Sequence, residues 1–280
     1  MSKSVIEQVA EHFAPPDLKS RVSDVLTAAG KDSSNTTIDD LAPLDQWHVM
    51  GDVPVRRLAE KAGISGRDRV LDAGSGMGGP ARLLASTYGC TVTGVDITVP
   101  YLETAQMLTE LTNLTDRVSF QRQDATDLPF EDEAFDAVWT EHAGQSIPDK
   151  RKFFGELHRV LKPGSRLVVH DLYGGKIDQV HFPAFWGRDD SISFLISDDE
   201  MRQLIEDSGF RVVDWTDTTK EAWDSNAAML ETNPEEHHAA VPGLDIFLLF
   251  GDETILMAEN SVKDFEVGAI GIFEAVFERS

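Results

Sequence analysis

The 280-residue sequence has a single cysteine, Cys90, and no uninterrupted apolar run that approaches the length of a membrane span. One cysteine excludes an internal disulfide framework and a zinc site built from cysteines. The absence of a long apolar run argues against a membrane helix, and the start of the chain lacks the pattern of a signal peptide. We therefore expect a cytoplasmic protein.

Basic residues are also scarce: the chain has 25 lysines and arginines but 49 aspartates and glutamates, which gives a formal net charge of −24. Such a surface repels nucleic acid and anionic membranes, so neither is expected as a partner. Hydrophobic residues make up 41% of the chain, enough for a substantial core. The partner expected is a small-molecule substrate, and the sequence leaves open a homodimer.

What the chain does contain is a glycine-rich stretch, Arg69-Val-Leu-Asp-Ala-Gly-Ser-Gly-Met-Gly-Gly-Pro80, in which an apolar strand runs into a tight turn and a helix. Glycine lacks a Cβ, so a ligand can lie against the bare backbone, and the helix start offers unpaired N–H groups. Asp96 ends the next apolar run, where a carboxylate can accept hydrogen bonds from ribose hydroxyls. The glycine-rich turn and Asp96 together predict a nucleoside-cofactor site. The glycine spacing alone fits both dinucleotide-binding and S-adenosylmethionine-binding enzymes.

Apolar strands alternate with helical stretches from residue 69 onward, which predicts an α/β fold with a doubly wound, seven-stranded, mostly parallel sheet. We expect the last strand to run antiparallel beside the sixth. The expected strands are Arg69–Ala73, Thr91–Asp96, Val118–Arg122, Ala134–Thr140, Arg166–Leu172, Phe210–Trp215 and Ala269–Phe277. Residues 1–64 form an N-terminal helical cap, and residues 65–280 form the main domain with insertions at about 174–196 and 219–263.

A third landmark, Asp124-Ala125, follows the third strand at the same edge of the sheet. The Asp124 carboxylate can accept a hydrogen bond from an adenine amino group, and the Ala125 N–H can meet a ring nitrogen. The segments Phe135–Trp139 and Leu161–Ser165 follow at short intervals. In this order the landmarks resemble the class I S-adenosylmethionine-dependent methyltransferases over roughly residues 65 to 215.

The resemblance implies S-adenosylmethionine as the cofactor and assigns a role to each landmark. Gly74 and Gly76 lie under its methionine part, and Asp96 holds the ribose. The remaining expected contacts are Ile97 against the adenine, Asp124 and Ala125 at the adenine edge, and Thr140 and Glu141 beside the sulfonium.

A looser resemblance, carried by Asp40–His48 and Trp139–Gly144, is to a bacterial small-molecule subgroup that includes the sarcosine/dimethylglycine N-methyltransferases. It implies methyl transfer to the nitrogen of a small amine or amino acid. The alternative is an O- or C-methyltransferase of a biosynthetic small molecule. More remote alternatives are a nicotinamide-dependent oxidoreductase, for which no Tyr-x-x-x-Lys pair is found, and an inactive cofactor-binding relative.

His48 and His142 are the candidate catalytic residues, because a hydroxyl or carbon acceptor needs a positioned base. The expected substrate-binding residues are Gln46, Trp47, Tyr173 and Trp186, since an aromatic wall suits a cationic amine. The insertion at 174–194 and the N-terminal cap are expected to act together as a lid.

No metal site is predicted from the sequence. His170 reads as a packed strand residue. His237 and His238, beside Glu235 and Glu236, point to a metal only weakly because no distant third ligand is evident.

Overall fold

A computed structural model of the protein describes residues 3–176, 179–231 and 241–280. The dipeptide His237-His238 and its neighbouring glutamates lie outside the described residues. In the described part of the chain, none of the helices combines the length and the apolar character that a membrane span requires.

Seven strands of the described residues form one sheet in the order β3-β2-β1-β4-β5-β7-β6. β1 to β5 run parallel to one another, whereas β7 lies antiparallel between β5 and β6. The predicted fold and the antiparallel last strand are confirmed. The strands are β1 (Arg69–Ala73), β2 (Thr91–Asp96), β3 (Val118–Arg122), β4 (Phe135–Glu141), β5 (Leu161–Gly174), β6 (Phe210–Asp217) and β7 (Ile270–Arg279).

Helices cover both faces of the sheet, as expected for parallel strands that are apolar on both sides. They are α1 (Val5–His12), α2 (Leu18–Ala28), α3 (Ile38–Asp45), α4 (Val53–Ala62), α5 (Gly79–Tyr88), α6 (Val99–Leu111), α7 (Lys150–Val160), α8 (Asp198–Asp207), α9 (Thr219–Glu231), α10 (Phe247–Phe250) and α11 (Glu253–Val267). On one face, side chains of α7 and α8 such as Leu157 and Met201 pack on the sheet. On the other, Leu58 of α4 and Leu84 of α5 do so.

The N-terminal helices are joined to the main domain through buried contacts. α3 begins with a capping box in which Thr37 and Asp40 exchange side-chain-to-backbone hydrogen bonds. α4 carries Pro54 in its first turn and ends at Gly63, which is in the left-handed conformation. Leu41 of α3 belongs to a third buried cluster together with residues of α2 and α6. These contacts place the segment after α3 above the carboxyl end of the sheet.

The insertion after β5 also packs against neighbouring elements. The His12 ring lies 3.0 Å from the Phe185 carbonyl oxygen. The Asn260 amide of α11 donates to the Pro183 carbonyl at 3.0 Å. His181 Nδ1 lies 2.5 Å from the Asp264 carboxylate, which is fully buried. The insertion therefore contacts both the N-terminal helices and α11.

Candidate active site

The turn between β1 and α5 has three glycines with positive φ: Gly74 at 85°, Gly76 at 52° and Gly78 at 79°. A Cβ added at Gly74 would lie 2.7 Å from the Ala143 Cβ, so this glycine permits a close approach of the turn to the end of β4. A Cβ at Gly76 would meet nothing nearer than Tyr101 Cδ2 at 3.9 Å. The space beside the Gly76 Cα is therefore open to a ligand, whereas Gly74 permits the close packing against Ala143.

Asp96 at the end of β2 is bound directly to this turn. Its Oδ2 accepts from the Gly76 N–H at 2.9 Å, and its Oδ1 accepts from the Thr98 N–H at 2.8 Å. Burial raises the pKa of Asp96, and these two hydrogen bonds oppose the rise. Each oxygen keeps a further lone pair that can accept from a ligand hydroxyl.

The loop after β3 lies next to Asp96 because the Gln123 N–H donates to the Asp96 carbonyl at 3.1 Å. Asp124 Oδ1 accepts from the Thr126 N–H at 2.8 Å, which fixes the start of the loop. Ala125, which packs against the main core, and Ile97, which follows Asp96, are both partly buried. The structure thus brings together the sequence-predicted residues of the turn, the end of β2 and the loop after β3.

The end of β4 places Glu141 and His142 at the same edge. Glu141 Oε1 accepts from the buried Trp139 indole at 2.8 Å, and its Oε2 lies 3.2 Å from His48 Nε2. His142 has a φ of 48°, a left-handed conformation that is uncommon outside glycine and concentrates at functional sites. Its N–H donates to the His170 carbonyl at 2.8 Å, which ties β4 to β5 here.

Three histidine rings meet at this point. The ring centroids of His142 and His170 are 4.8 Å apart, and the His48 ring lies 6.0 Å from the first and 6.1 Å from the second. The Nε2 atom of His142, the Nδ1 atom of His48 and both ring nitrogens of His170 are buried without a hydrogen-bond partner among the described residues. We call His48, Glu141, His142 and His170 the histidine cluster.

Burial drives every titratable group of the histidine cluster toward its neutral form, because a charge loses hydration there. Burial lowers the pKa of His48 to about 4 and, with the neighbouring His48, lowers the pKa of His142 to about 3. The pKa of His170 is also well below its usual range because of burial. Burial raises the pKa of Glu141 to about 8, and the nearby Asp72 adds to the rise.

A buried ion pair holds the segment 45–48 over the glycine turn. Arg82 Nη2 of α5 donates to Asp45 Oδ2 at 2.5 Å, and the two side chains are 1% and 3% exposed. A Cβ at Gly79 would lie 2.0 Å from the Asp45 carbonyl oxygen, so the backbones of α3 and α5 nearly touch. Gln46 then lies against the histidine cluster, since its Oε1 is 2.9 Å from His48 Nε2.

The aromatic residues predicted to line the acceptor pocket lie in different places. The Trp47 ring packs at 6.1 Å from Phe185 of the insertion. Trp186 is buried and donates to Ser193 Oγ at 2.9 Å within the insertion. The Tyr173 hydroxyl donates to Asp217 Oδ2 at 2.8 Å, and alternation along β5 puts its side chain on the face opposite to His170. Of these, only Trp47 is adjacent in sequence to the histidine cluster.

Comparison with known proteins identifies the family. Residues 71–169 match the methyltransferase domain family. The chain is 29% identical over 229 residues to methyltransferase GfsG from Streptomyces halstedii, covering 80% of this chain and 78% of GfsG. The chain is a class I S-adenosylmethionine-dependent methyltransferase. This excludes the nicotinamide-dependent oxidoreductase that the glycine spacing left open.

A further relative of the methyltransferase is the 2-methyl-6-phytyl-1,4-hydroquinone methyltransferase of Synechocystis sp., 34% identical over 210 residues. That match covers 69% of this chain but 60% of the relative, less than two thirds of its length.

Among solved structures, the methyltransferase resembles geranyl diphosphate C-methyltransferase from Streptomyces coelicolor A3(2). The TM-score is 0.70 at 17% identity, over 100% of this chain and 99% of that one. A candidate sarcosine dimethylglycine methyltransferase from Galdieria sulphuraria gives a TM-score of 0.63 at 19% identity, over 81% and 84% of the two chains. At such low sequence identities, the similarity to these two structures shows that the fold is shared.

The residues around the glycine turn of the methyltransferase fit S-adenosylmethionine, which supplies a methyl group on a cationic sulfur when bound. Asp72 Oδ2, Ser75 Oγ, Tyr101 Oη and Thr140 Oγ1 are buried polar atoms with no partner among the described residues. Burial, together with the charge of Asp96, raises the pKa of Asp72 to about 7. Polar atoms of this kind are expected where a polar ligand completes the hydrogen bonding.

Sequence reasoning missed His170 as part of this site. The signal was available, since β4 and β5 were both predicted and the carboxyl ends of neighbouring parallel strands meet at one edge of a sheet. Glu141 and His170 are paired directly across these two strands. Tyr101 carried no such signal, because its side chain reaches the turn only through the packing of α6.

Proposed function

We propose that the methyltransferase acts on a hydroxyl oxygen of a small molecule, with His142 as the general base. The observation that carries this proposal is the buried His142 Nε2 atom, which has no partner among the described residues. His142 directly precedes Ala143, the residue that closely approaches Gly74 of the turn. A neutral amine has a free lone pair and needs no base, whereas a hydroxyl must lose a proton during the transfer. A buried His142 imidazole nitrogen without a partner is therefore explained better by a hydroxyl acceptor than by an amine.

The reaction is a displacement in which the acceptor oxygen forms a bond to the methyl carbon as the bond from that carbon to sulfur breaks. The acceptor proton becomes strongly acidic as the C–O bond forms. A neutral imidazole can then take it even though burial lowers the pKa of His142 to about 3. Positioning of the acceptor and exclusion of water by the N-terminal helices and the insertion supply the rest of the rate enhancement.

A small amine or amino acid, the acceptor favoured by the sequence, is the second candidate. A trio of aromatic rings supports it: Trp47, Phe185 and Phe250 lie with ring centroids 5.6 to 6.1 Å apart where the cap meets the insertion. Aromatic faces attract methylated ammonium groups by about 0.5–2 kcal/mol.

The test measures transfer of a labelled methyl group from S-adenosylmethionine to matched panels of phenols, alcohols and amines, including sarcosine and dimethylglycine. The new bond in each product is assigned by NMR. His142→Asn, which tolerates the left-handed backbone, should lower kcat on the hydroxyl acceptor by about 10²–10⁴-fold. Cofactor affinity should stay unchanged, and His158→Asn in α7 serves as the control.

Transfer to amines alone, with turnover that His142→Asn leaves intact, would establish the second candidate instead. Transfer only to a thiol or a carbon centre would contradict both. A hydroxyl methylated equally fast by wild type and His142→Asn would remove His142 from the role of base.

A further inference from the structure

Three members of the histidine cluster converge on one point at the carboxyl end of the sheet. Glu141 and His170 are direct partners across β4 and β5, so their side chains leave the same face. His48 reaches this point from the segment after α3. One ring nitrogen each from His48 and His170 and one Glu141 oxygen all lie within 4.8 Å of one another.

These groups are buried, and four of their polar atoms lack a hydrogen-bond partner among the described residues. His170 is 0% exposed, and the side chains of Glu141 and His48 are 5% and 10% exposed. Both His170 nitrogens, His48 Nδ1 and Glu141 Oε2 have no hydrogen bond. Leaving one such group unsatisfied costs about 1–3 kcal/mol, so a fold that buries several together needs a further partner for them.

We propose that His48, Glu141 and His170 bind a divalent transition-metal ion, of which Zn²⁺ is the prototype. Two imidazoles and one carboxylate are a ligand set that such ions take in sites with an open fourth position, whereas Mg²⁺ and Ca²⁺ take oxygen ligands. The inference concerns binding alone and does not depend on which acceptor is methylated.

The spacing of the donor atoms supports this assignment. His48 Nε2 and Glu141 Oε2 lie 3.2 Å apart. Two ligands bound at about 2.0–2.1 Å to a tetrahedral zinc ion are about 3.3–3.4 Å apart. The His170 ring is the group that must turn or shift to close the site. Gln46 Oε1, 2.9 Å from His48 Nε2, is the competing partner that an ion has to displace.

The surroundings also suit a cation. Trp139 Nε1 donates to Glu141 Oε1 at 2.8 Å, which orients the carboxylate and leaves Oε2 for the ion. Hydrogen bonds of this kind to ligating groups are a regular feature of metal sites. Asp72 on β1 is paired with Trp139 and therefore lies on the same face of the sheet as Glu141, where a further carboxyl group favours a cation.

The experiment uses the full chain, stripped of metal with a chelator and then titrated with Co²⁺ and Zn²⁺ without acceptor. Co²⁺ reports its ligands through visible d–d bands, and Zn²⁺ stoichiometry is measured by elemental analysis after dialysis. One ion per chain is expected. His170→Phe and Glu141→Gln should each weaken binding more than about 100-fold, because even changes outside the ligand set cost 10–100-fold.

His158→Phe is the matched control, since His158 also packs edge-on against an aromatic ring but lies in α7, away from the cluster. It should bind one ion with wild-type affinity. Glu141→Gln keeps the shape of the side chain, so its result stands even if His170→Phe fails to fold. Absence of a stoichiometric ion, or binding that Glu141→Gln leaves intact, would overturn the proposal and assign any bound metal to the acidic surface.

Discussion

Replacing Asp45 with asparagine should destabilise the protein and loosen the segment that carries His48. In the wild type, Arg82 Nη2 donates to Asp45 Oδ2 at 2.5 Å, with both side chains almost completely buried. Asparagine fills nearly the same volume but removes the negative charge. The Arg82 guanidinium would then stay buried without a counter-ion.

The expected loss is about 3 kcal/mol, the lower end of the 3–5 kcal/mol found when one partner of a buried ion pair is removed. The lower end applies because Arg82 keeps three other acceptors. It donates to the Met77 carbonyl at 2.7 Å, to Thr109 Oγ1 at 3.0 Å and to the Ala105 carbonyl at 3.1 Å. These three hydrogen bonds would still partly stabilise the buried guanidinium in the Asp45→Asn variant.

Chemical denaturation followed by circular dichroism measures this loss as a change in the free energy of unfolding. A double-mutant cycle with Arg82→Met isolates the pair, because the double variant removes both charges and should recover part of the stability lost in each single variant. Asp45→Asn unfolding within about 0.5 kcal/mol of wild type, the range of ordinary surface substitutions, would refute the assignment of this pair as the anchor of the cap.

Two further predictions concern other carboxylates. Asp96→Ala should weaken S-adenosylmethionine binding by about 1–3 kcal/mol in calorimetry, because the ribose loses a charged acceptor. The control variant Asp40→Asn should bind the cofactor with wild-type affinity. Wild-type affinity of a folded Asp96→Ala variant would remove Asp96 from the site. Burial alone would raise the pKa of Asp40, but hydrogen bonds from Lys31 and Thr37 outweigh it and lower the pKa. Its stabilisation is thus present above the unfolded pKa of about 3.9 and lost as the pH falls through the folded pKa. Asp40→Asn should cost about 1 kcal/mol at pH 7 and converge with wild type in acid, and a cost independent of pH would contradict this.

The sheet could be predicted closely because parallel strands buried on both faces leave a strong apolar signal. β1, β2 and β3 begin and end at the predicted residues. β5 is longer than predicted at both ends, running from Leu161 to Gly174. Its pairing with β7 extends to Gly174. The length of β5 depends on its partner strand β7, which local sequence does not reveal.

α3 was not predicted, for reasons that lie in its sequence. The helix spans only Ile38–Asp45 and contains Pro43, which argues against a helix interior. Its start was nevertheless marked by the capping box of Thr37 and Asp40. Its stability comes from tertiary contacts, since Leu41 and Leu44 are fully buried against the other N-terminal helices and α6. Contacts of this kind cannot be read from a window of eight residues.

Candidate cofactor residues could be named from the sequence because they follow consecutive strands at fixed places in the fold, whereas for the histidine cluster only the neighbouring strand ends at Glu141 and His170 gave a signal. Its members are separated by 93 residues between His48 and Glu141 and by 28 between His142 and His170. No local spacing joins them. Their meeting depends on the register between β4 and β5 and on the ion pair that brings His48 over the sheet, and both are properties of the folded chain.

The register between the strands also aligns several buried polar side chains on one face of the sheet. Paired positions on neighbouring strands point their side chains to the same face of a sheet. Asp72 is paired with Trp139, Glu141 with His170, and His170 with Glu274. These side chains therefore form a row on one face of the adjacent strands β1, β4, β5 and β7. Glu274 is fully buried, and Arg57 Nε of α4 donates to it at 2.8 Å, which neutralises that end of the row. Asp72, Glu141 and His170 have no comparable cation from the described residues. The uncompensated part of the row is therefore the part next to the glycine turn, where the cationic sulfonium of the cofactor and the proposed metal ion would supply the missing positive charge.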